Sequence, residues 1–243
     1  MRKNESGFTL IELMIVIAII AIIAAIAIPN LLAAKLSSNE TAALATLRNL
    51  ATCQAQFQTT GKVDVDSDGG GEFGTFLEMT GTVGVRKKLN TGTPNTSDFT
   101  TTGTPLNPAP LSASLANVDS IGFVTKSGYA FMVFLPDAAT PAQFVHETGP
   151  AASVAVSAPI AIDLSETTWC AYAQPVAFGN SGNRRFFTNQ SADVMQSSND
   201  TTKFQGTAAA INGNSAFKPG GGITAQVAVG TKGNDGDVWK ISN

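Results

Sequence analysis

The N-terminal part of the chain is dominated by apolar side chains, and no charged residue lies between Leu13 and Ala34. At about 1.5 Å per residue, a helix of this length crosses the ~30 Å hydrocarbon core of a bilayer. A single carboxylate, Glu12, stands at the start of the segment. Because a carboxylate near the bilayer centre costs ~2.5–3.5 kcal/mol on insertion scales, the pattern predicts a membrane-crossing helix with a functional acid.

The hydrophobic pattern continues beyond this segment with the spacing of an amphipathic helix. Every glycine except Gly7 lies at Gly61 or beyond, so the pattern predicts one continuous helix to about residue 60. The stripe is typical of a helix face that packs on a globular domain. A coiled-coil seam is the alternative, but the stripe lasts only about three heptads. Its members are Leu36, Ala43, Leu44, Leu47, Leu50, Ala51 and Phe57.

The rest of the chain has the pattern of a β-rich domain. Apolar segments flank a glycine-containing turn in Ile121–Leu135 and again in Trp169–Thr188, which predicts two hairpins. The alternation in Ile223–Val229 predicts a late strand. A domain of this length is large enough to bury one core. The predicted class is therefore α+β, a long N-terminal helix packed on a mainly antiparallel β-sheet globular domain.

The residues around Glu12 allow three interpretations of the N-terminus. Arg2 and Lys3 precede the apolar segment and favour a cytoplasmic start. A secretory signal would use Ala25-Ile26-Ala27 as its cleavage site, and an ordinary signal anchor would need no cleavage. Both leave the acid unexplained. The third interpretation rests on the motif Gly7-Phe8-Thr9-Leu10-Ile11-Glu12-Leu13.

This motif resembles the processing and methylation motif of type IV prepilins and type II secretion pseudopilins, and the likeness extends over residues 1 to about 60. The resemblance implies that a prepilin peptidase cuts after Gly7 and that the new N-terminal residue, Phe8, is N-methylated. Glu12 takes the place of the family's acid at the fifth mature position, and Pro29 that of its helix-softening proline. The implied parts are a cleaved leader (1–7), a long helix (8–60, with 8–34 in the membrane or filament core) and a β-rich globular head (61–243).

The acid has a physical role in this interpretation. Cleavage creates a positive amine at Phe8, so Glu12 of one subunit pairs with Phe8 of its neighbour inside lipid or the filament core. Breaking a buried pair strands a charge, at a cost of roughly 3–5 kcal/mol, so such a pair sets the register between subunits. The alternative is that Glu12 reaches the lipid headgroups from the helix end.

The function that the resemblance implies is that of a structural subunit of a type IV pilus-like extracellular filament, or fimbrium. The alternative is a pseudopilin of a type II secretion system; a monomeric membrane-anchored binding protein would leave Glu12 without a purpose. The implied partners are further copies in a helical homopolymer, the prepilin peptidase, an inner-membrane assembly platform and, before assembly, membrane lipid. The implied location is the bacterial inner membrane for the precursor, followed by an extracellular filament or a periplasmic pseudopilus.

Composition argues against an enzyme and against a nucleic-acid partner. The chain has one histidine, His146, and neither a Gly-x-Ser-x-Gly elbow nor a glycine cluster that follows a strand as a phosphate cradle requires. The net charge of −3 is unlike that of a nucleic-acid-binding protein. The short basic runs at residues 86–88 and 184–185 are interpreted as solvated surface clusters. We expect no cofactor except a possible Ca²⁺.

The chain has two cysteines, Cys53 near the helix end and Cys170 in the second predicted hairpin. Beyond the inner membrane the compartment is oxidising, where two cysteines of one exported domain usually pair. We therefore expect a disulfide between Cys53 and Cys170 that ties the sheet to the helix. Two separately buried thiols are the alternative.

A run of acids follows the long helix. Asp64, Asp66, Asp68 and Glu72 occupy relative positions 1, 3, 5 and 9, with glycine at position 6, as in the front half of an EF-hand loop. Thr75 departs from that pattern at position 12, where a bidentate glutamate belongs. These four acids are a candidate calcium site, with an ordinary solvated acidic loop as the alternative. A second, weaker candidate consists of Asp235 and Asp237.

Overall fold

The computed structural model describes residues 8–88, 99–100, 103–140, 143–149, 155–208 and 211–242. It confirms the predicted α+β class, with one long helix and a seven-stranded antiparallel sheet. Gly7 and the rest of the leader lie outside the described residues. In chain order the elements are α1 (Leu10–Thr59), α2 (Phe76–Met79), β1 (Lys87–Lys88), β2 (Phe99–Thr100), a 3₁₀ turn (Ala113–Leu115), β3 (Val124–Lys126), β4 (Tyr129–Pro136), β5 (Phe144–Val145), α3 (Ile162–Ser165), β6 (Cys170–Pro175), β7 (Arg185–Asn189), β8 (Val194–Ser197) and β9 (Lys240–Ile241).

Helix α1 is continuous over its 50 residues, Pro29 included. It ends at Thr59 with Thr60 as its C-cap, followed by Gly61 with a φ of +56°, a left-handed conformation that glycine adopts without strain. Only its C-terminal half is buried, along one face with the three- and four-residue spacing of a helix. The buried residues of that face are Glu40, Ala43, Leu47, Leu50, Ala51, Cys53, Gln54 and Phe57. The predicted stripe is therefore a domain-packing face.

The main sheet has the strand order β3-β4-β6-β7-β8-β9, and β5 pairs with the end of β4. Both predicted hairpins are present, as β3–β4 and β6–β7. The first turns through Ser127 and Gly128, which have φ values of +50° and +76°. Positive φ at both positions gives the twist that a two-residue hairpin needs. The predicted strand over Ile223–Val229 is wrong, because this segment forms only isolated bridges at Val227 and Val229.

The sheet is buried on both faces, so the domain has two apolar cores. The inner core lies between the sheet and α1, and alternate residues of β4, such as Phe131 and Val133, point into it. The outer core receives the residues between them, such as Met132 and Phe134. The C-terminal segment covers this outer face with Ile211, Ala216, Phe217, Ile223 and Trp239. The second core explains why β4 is apolar at nearly every position rather than at every second one.

Polar contacts fix α1 to the domain at two places. The buried amide of Gln54 donates from Nε2 to the carbonyl oxygen of Gly74 at 2.8 Å and accepts the N–H of Gly74 at 2.9 Å. Nearer the exposed half, the Glu40 carboxylate accepts the backbone N–H groups of Asn183 and Arg184 at 2.9 and 3.2 Å. The Arg184 guanidinium also lies 2.9 Å from Glu40. These bonds satisfy the backbone of two loops that pack against the helix.

The expected disulfide between Cys53 and Cys170 is wrong, because both cysteines are free and lie on opposite faces of the sheet. Cys53 belongs to the inner core, where its Sγ donates to the carbonyl oxygen of Pro110 at 2.9 Å. Cys170 points into the outer core, and its neighbour Ala171 points inward. Since successive residues of a strand face opposite ways, the sheet separates the two sulfurs. Burial raises the pKa of both thiols.

The basic runs are not solvated surface clusters throughout. Arg86 is 2 % exposed, and its Nε lies 2.9 Å from Glu78. Arg185 is fully buried, with Nη1 2.9 Å from Asp235 and its guanidinium 4.0 Å from the ring centre of Phe204. A planar guanidinium can pair with a carboxylate and stack on an aromatic face at the same time, which allows this burial. The interpretation as surface charge is therefore wrong for Arg86 and Arg185.

The contact between α1 and Gly74 predicts a large effect of one substitution. In Gln54→Ala, the buried N–H and C=O of Gly74 both lose their partner, so the free energy of unfolding should fall by about 2–4 kcal/mol. Urea denaturation of the full-length protein in detergent, followed by tryptophan fluorescence, measures this loss. Gln56→Ala, an exposed position of the same helix, is the matched control and should change stability little. Equal stability of the two variants would contradict the anchoring role.

The positions of the cysteines give a second prediction. Protein that is unfolded without reductant should show two free thiols per chain when titrated with a thiol reagent. In the native protein both thiols should react slowly, because they are buried. Fewer than one reactive thiol per unfolded chain would show that the sulfurs are bridged. The two cysteines would then not lie on opposite faces of the sheet.

Candidate assembly site on the N-terminal helix

The N-terminal half of α1 leaves the domain as an uncovered apolar rod. Between Phe8 and Leu32 its large apolar side chains are 46–85 % exposed. Within the described part of the chain, α1 is the one helix that is both long enough and apolar enough to cross a membrane. A contiguous apolar surface of this size marks a site of contact with lipid or with another protein.

The helix begins with a reciprocal pair of side-chain bonds between Thr9 and Glu12. The carboxylate oxygen Oε2 of Glu12 accepts from the N–H of Thr9 at 2.9 Å and from its hydroxyl at 2.8 Å. In return, the hydroxyl oxygen of Thr9 accepts the N–H of Glu12 at 3.3 Å. This capping box satisfies backbone donors that a helix start leaves without partners. Thr9 was missed as a site residue, although the spacing Thr-x-x-Glu signals it in the sequence.

The remaining sequence-predicted assembly residues lie at the two ends of this rod. Phe8 is 85 % exposed and precedes the cap. Pro29 lies within the continuous helix, where its missing N–H removes one backbone hydrogen bond. The structure therefore brings Phe8, Thr9 and Glu12 together and leaves Pro29 more than four turns away. Gly7 lies outside the described residues.

The candidate calcium residues lie at the opposite end of α1. Oxygens of Asp64, Asp66 and Asp68 come within 4.8 Å of one another. The fourth residue, Glu72, is fully buried and accepts the N–H of Val65 at Oε1, at 2.8 Å. Burial raises the pKa of Glu72 to about 7, against a smaller opposite effect of Arg86.

A further carboxylate, Glu166, joins this cluster from the end of α3. Burial and the charges of Asp68, Asp66, Glu72 and Asp163 raise its pKa to about 7. Nothing in the sequence signals this residue, since it stands far from the acidic run and follows a helix of only four residues. The structure thus brings three of the four predicted acids, Asp64, Asp66 and Asp68, within 4.8 Å of one another, leaves Glu72 outside that group, and adds Glu166, which the sequence did not indicate.

The second candidate pair, Asp235 and Asp237, is used differently. Asp235 bonds to Arg185, and its Oδ1 accepts the indole N–H of Trp239 at 3.3 Å. Asp237 accepts the N–H and the hydroxyl of Thr201 at 3.1 and 2.6 Å. Both carboxylates therefore have partners within the domain, which argues against a metal site there.

Comparison with known proteins bears on the N-terminal half. The family model of the prokaryotic N-terminal methylation motif matches residues 2–28. The type IV wide pilus major component PilA4 of Thermus thermophilus is 54 % identical over 56 residues, 23 % of this chain and 43 % of that protein. The type IV major pilin protein PilA of Myxococcus xanthus is 43 % identical over 89 residues, 37 % of this chain and 40 % of that protein. No solved structure matches the chain.

The chain spans less than half the length of these two curated relatives. The matched region nevertheless contains the motif, the apolar segment and the capping box described above. The resemblance that the motif predicted is confirmed: in its N-terminal region the chain is similar to type IV prepilins.

Proposed function

We propose that the chain is a structural, non-catalytic subunit of a type IV pilus-like extracellular filament and that it assembles through the apolar half of α1. The observation that most supports this is the apolar surface of residues 8–34, which the head domain leaves uncovered. Such a surface needs lipid before assembly and the helices of other subunits afterwards. Both relatives are named as major pilus proteins, which favours a pilus over the pseudopilus of a secretion system.

In this proposal the precursor is held in the bacterial inner membrane by α1. A prepilin peptidase removes residues 1–7, and the amine of Phe8 is methylated. An inner-membrane assembly platform then moves the subunit from lipid into a helical homopolymer. Pro29 lowers the cost of bending or loosening the helix during this transfer, because its missing N–H leaves one backbone carbonyl unpaired.

Glu12 fixes the register between subunits by pairing with the amine of Phe8 on a neighbour. In the single chain, Thr9 satisfies the carboxylate, and both of its bonds go to Oε2. The carboxylate thus enters lipid with partners and keeps its second oxygen for the neighbouring amine. Because loss of one member would strand the other charge at roughly 3–5 kcal/mol, subunits out of register are disfavoured.

Imaging tests the filament itself. Fibres sheared from the cell surface should bind an antibody to this chain along their length, and mass spectrometry of the fibres should find N-methyl-Phe8 as the first residue. Gly7→Val should accumulate as uncut membrane precursor, because the peptidase needs close access to the backbone at this position. Ser6→Ala, one residue earlier, should be processed. Unlabelled surfaces, or fibres whose subunits begin at Met1, would contradict the proposal.

Substitutions at the cap separate charge from helix capping. Glu12→Gln keeps an oxygen for Thr9 but removes the charge, so subunit association should weaken by more than about a hundredfold and filaments should be nearly lost. Thr9→Ala removes the hydroxyl cap, worth about 1 kcal/mol, but keeps the charge, so filaments should form at near-normal yield. Filament mass per cell, at equal levels of processed subunit, is the measurement. Normal assembly of Glu12→Gln would refute the pairing.

A further inference from the structure

Two separate segments contribute carboxylates to the region at the C-terminal end of α1, where those of Asp64, Asp66 and Asp68 lie within 4.8 Å of one another. The first segment is the loop of residues 61–72, which turns through Gly69 with a φ of +99°. The second is the end of α3, where the backbone oxygen of Glu166 accepts from the side-chain amide of Gln58. The two segments are also joined by the N–H of Phe73, which donates to the carbonyl oxygen of Ser165 at 2.8 Å. The backbone therefore holds the acids together.

The carboxyl group of Glu166 lies directly against the acidic loop. A Cβ built on Gly70 would come within 2.6 Å of its Oε2, so any side chain there would displace the carboxylate. The charges of Asp66, Asp68 and Glu72 all act on Glu166. The glutamate thus faces the same space as the loop acids.

Three carboxylate oxygens in this cluster are buried without a hydrogen-bond partner among the described residues. They are Asp64 Oδ1, Glu72 Oε2 and Glu166 Oε1. Glu72 carries the most weight, because its whole side chain is buried and only Oε1 is bonded. A buried carboxylate oxygen without a donor is costly, and a second acid nearby raises that cost. A bound cation would offset this cost by coordinating the three oxygens.

We propose that one Ca²⁺ binds among five carboxylates, those of Asp64, Asp66, Asp68, Glu72 and Glu166. Calcium prefers six to eight oxygen ligands at about 2.3–2.6 Å, so oxygens on opposite sides of it stand about 5 Å apart. Oxygens of Asp64, Asp66 and Asp68 lie within 4.8 Å of one another, so all three can reach one ion, and Glu72 and Glu166 would complete its ligands from outside that group. Mg²⁺ dehydrates reluctantly and is usually held by only one or two carboxylates, so a site of several carboxylates favours Ca²⁺.

Glu166 supplies what the loop lacks as a calcium motif. Thr75 stands where an EF-hand loop has its last glutamate, and it instead pairs with Glu78 as the cap of α2, with 3.1 Å from its N–H to the carboxylate. In the proposed site, the carboxylate of Glu166 at the end of α3 takes the place of that last glutamate ligand. Bound calcium would hold the loop of residues 61–72 and α3 together beneath the end of α1.

Calorimetric titration of the full-length protein in detergent, after treatment with EDTA, tests the proposal. CaCl₂ should bind at one ion per chain and raise the melting temperature, since it binds the folded state. MgCl₂ at the same concentration should raise it less. Absent binding, or an equal rise with MgCl₂, overturns the assignment.

Three variants locate the site. Asp66→Asn and Glu166→Gln should each weaken calcium binding by at least about tenfold, whereas Asp200→Asn, which removes an exposed charge elsewhere, should bind as the unchanged protein does. Without calcium, Glu166→Gln should melt no lower than the unchanged protein, because it relieves repulsion. Calcium affinity retained in Glu166→Gln, or a large loss of metal-free stability in that variant, overturns the five-carboxylate site.

Discussion

Helix α1 meets two different surroundings, and the packing of its C-terminal half is the interaction on which the domain depends. Leu47, Leu50 and Phe57 are 0–1 % exposed and form the side of the inner core that faces the sheet. Polar anchors at Glu40 and Gln54 fix where the helix leaves the domain and how it is rotated. This rotation directs one face into the core and lets the N-terminal half project as a separate apolar surface.

The same sheet serves a second core on its far side. Tyr172 and Phe187 stand with ring centres 4.9 Å apart on this face, and the C-terminal segment packs over them. The hydroxyl of Tyr172 donates to the carbonyl oxygen of Gly213 at 2.7 Å and accepts the N–H of Ala216 at 3.0 Å. These two bonds fasten an irregular segment to a regular sheet, so a long stretch with few strand hydrogen bonds is still ordered by burial.

Local patterns were enough to predict much of this structure from the sequence. The motif at Gly7, the long helix and both hairpins depend on residues close to one another in the chain, where spacing and turn chemistry act directly. The cysteine pairing failed because it depends on which face of the strand Cys170 occupies, and a one-residue shift reverses that face. The strand expected at Ile223–Val229 failed because alternation also suits a segment that lies on an existing sheet. Ile223 is buried and Ala225 and Val227 are partly buried against the outer core, but Val229 is exposed and the backbone pairs only at isolated bridges.

The acidic pairs show why a sequence pattern of acids does not by itself predict a metal site. Asp235 and Asp237 have the same Asp-x-Asp spacing as Asp64 and Asp66. The fold, however, places Arg185 against Asp235 and the hydroxyl of Thr201 against Asp237. The loop after α1 receives Glu166 instead, another acid. What distinguishes the two places is the charge that a distant segment contributes, cationic in one case and anionic in the other. The cationic Arg185 allows Asp235 and Asp237 to be part of the folded domain. The anionic Glu166 instead adds to the repulsion around Asp64 and Asp66, whose oxygens a cation would stabilise.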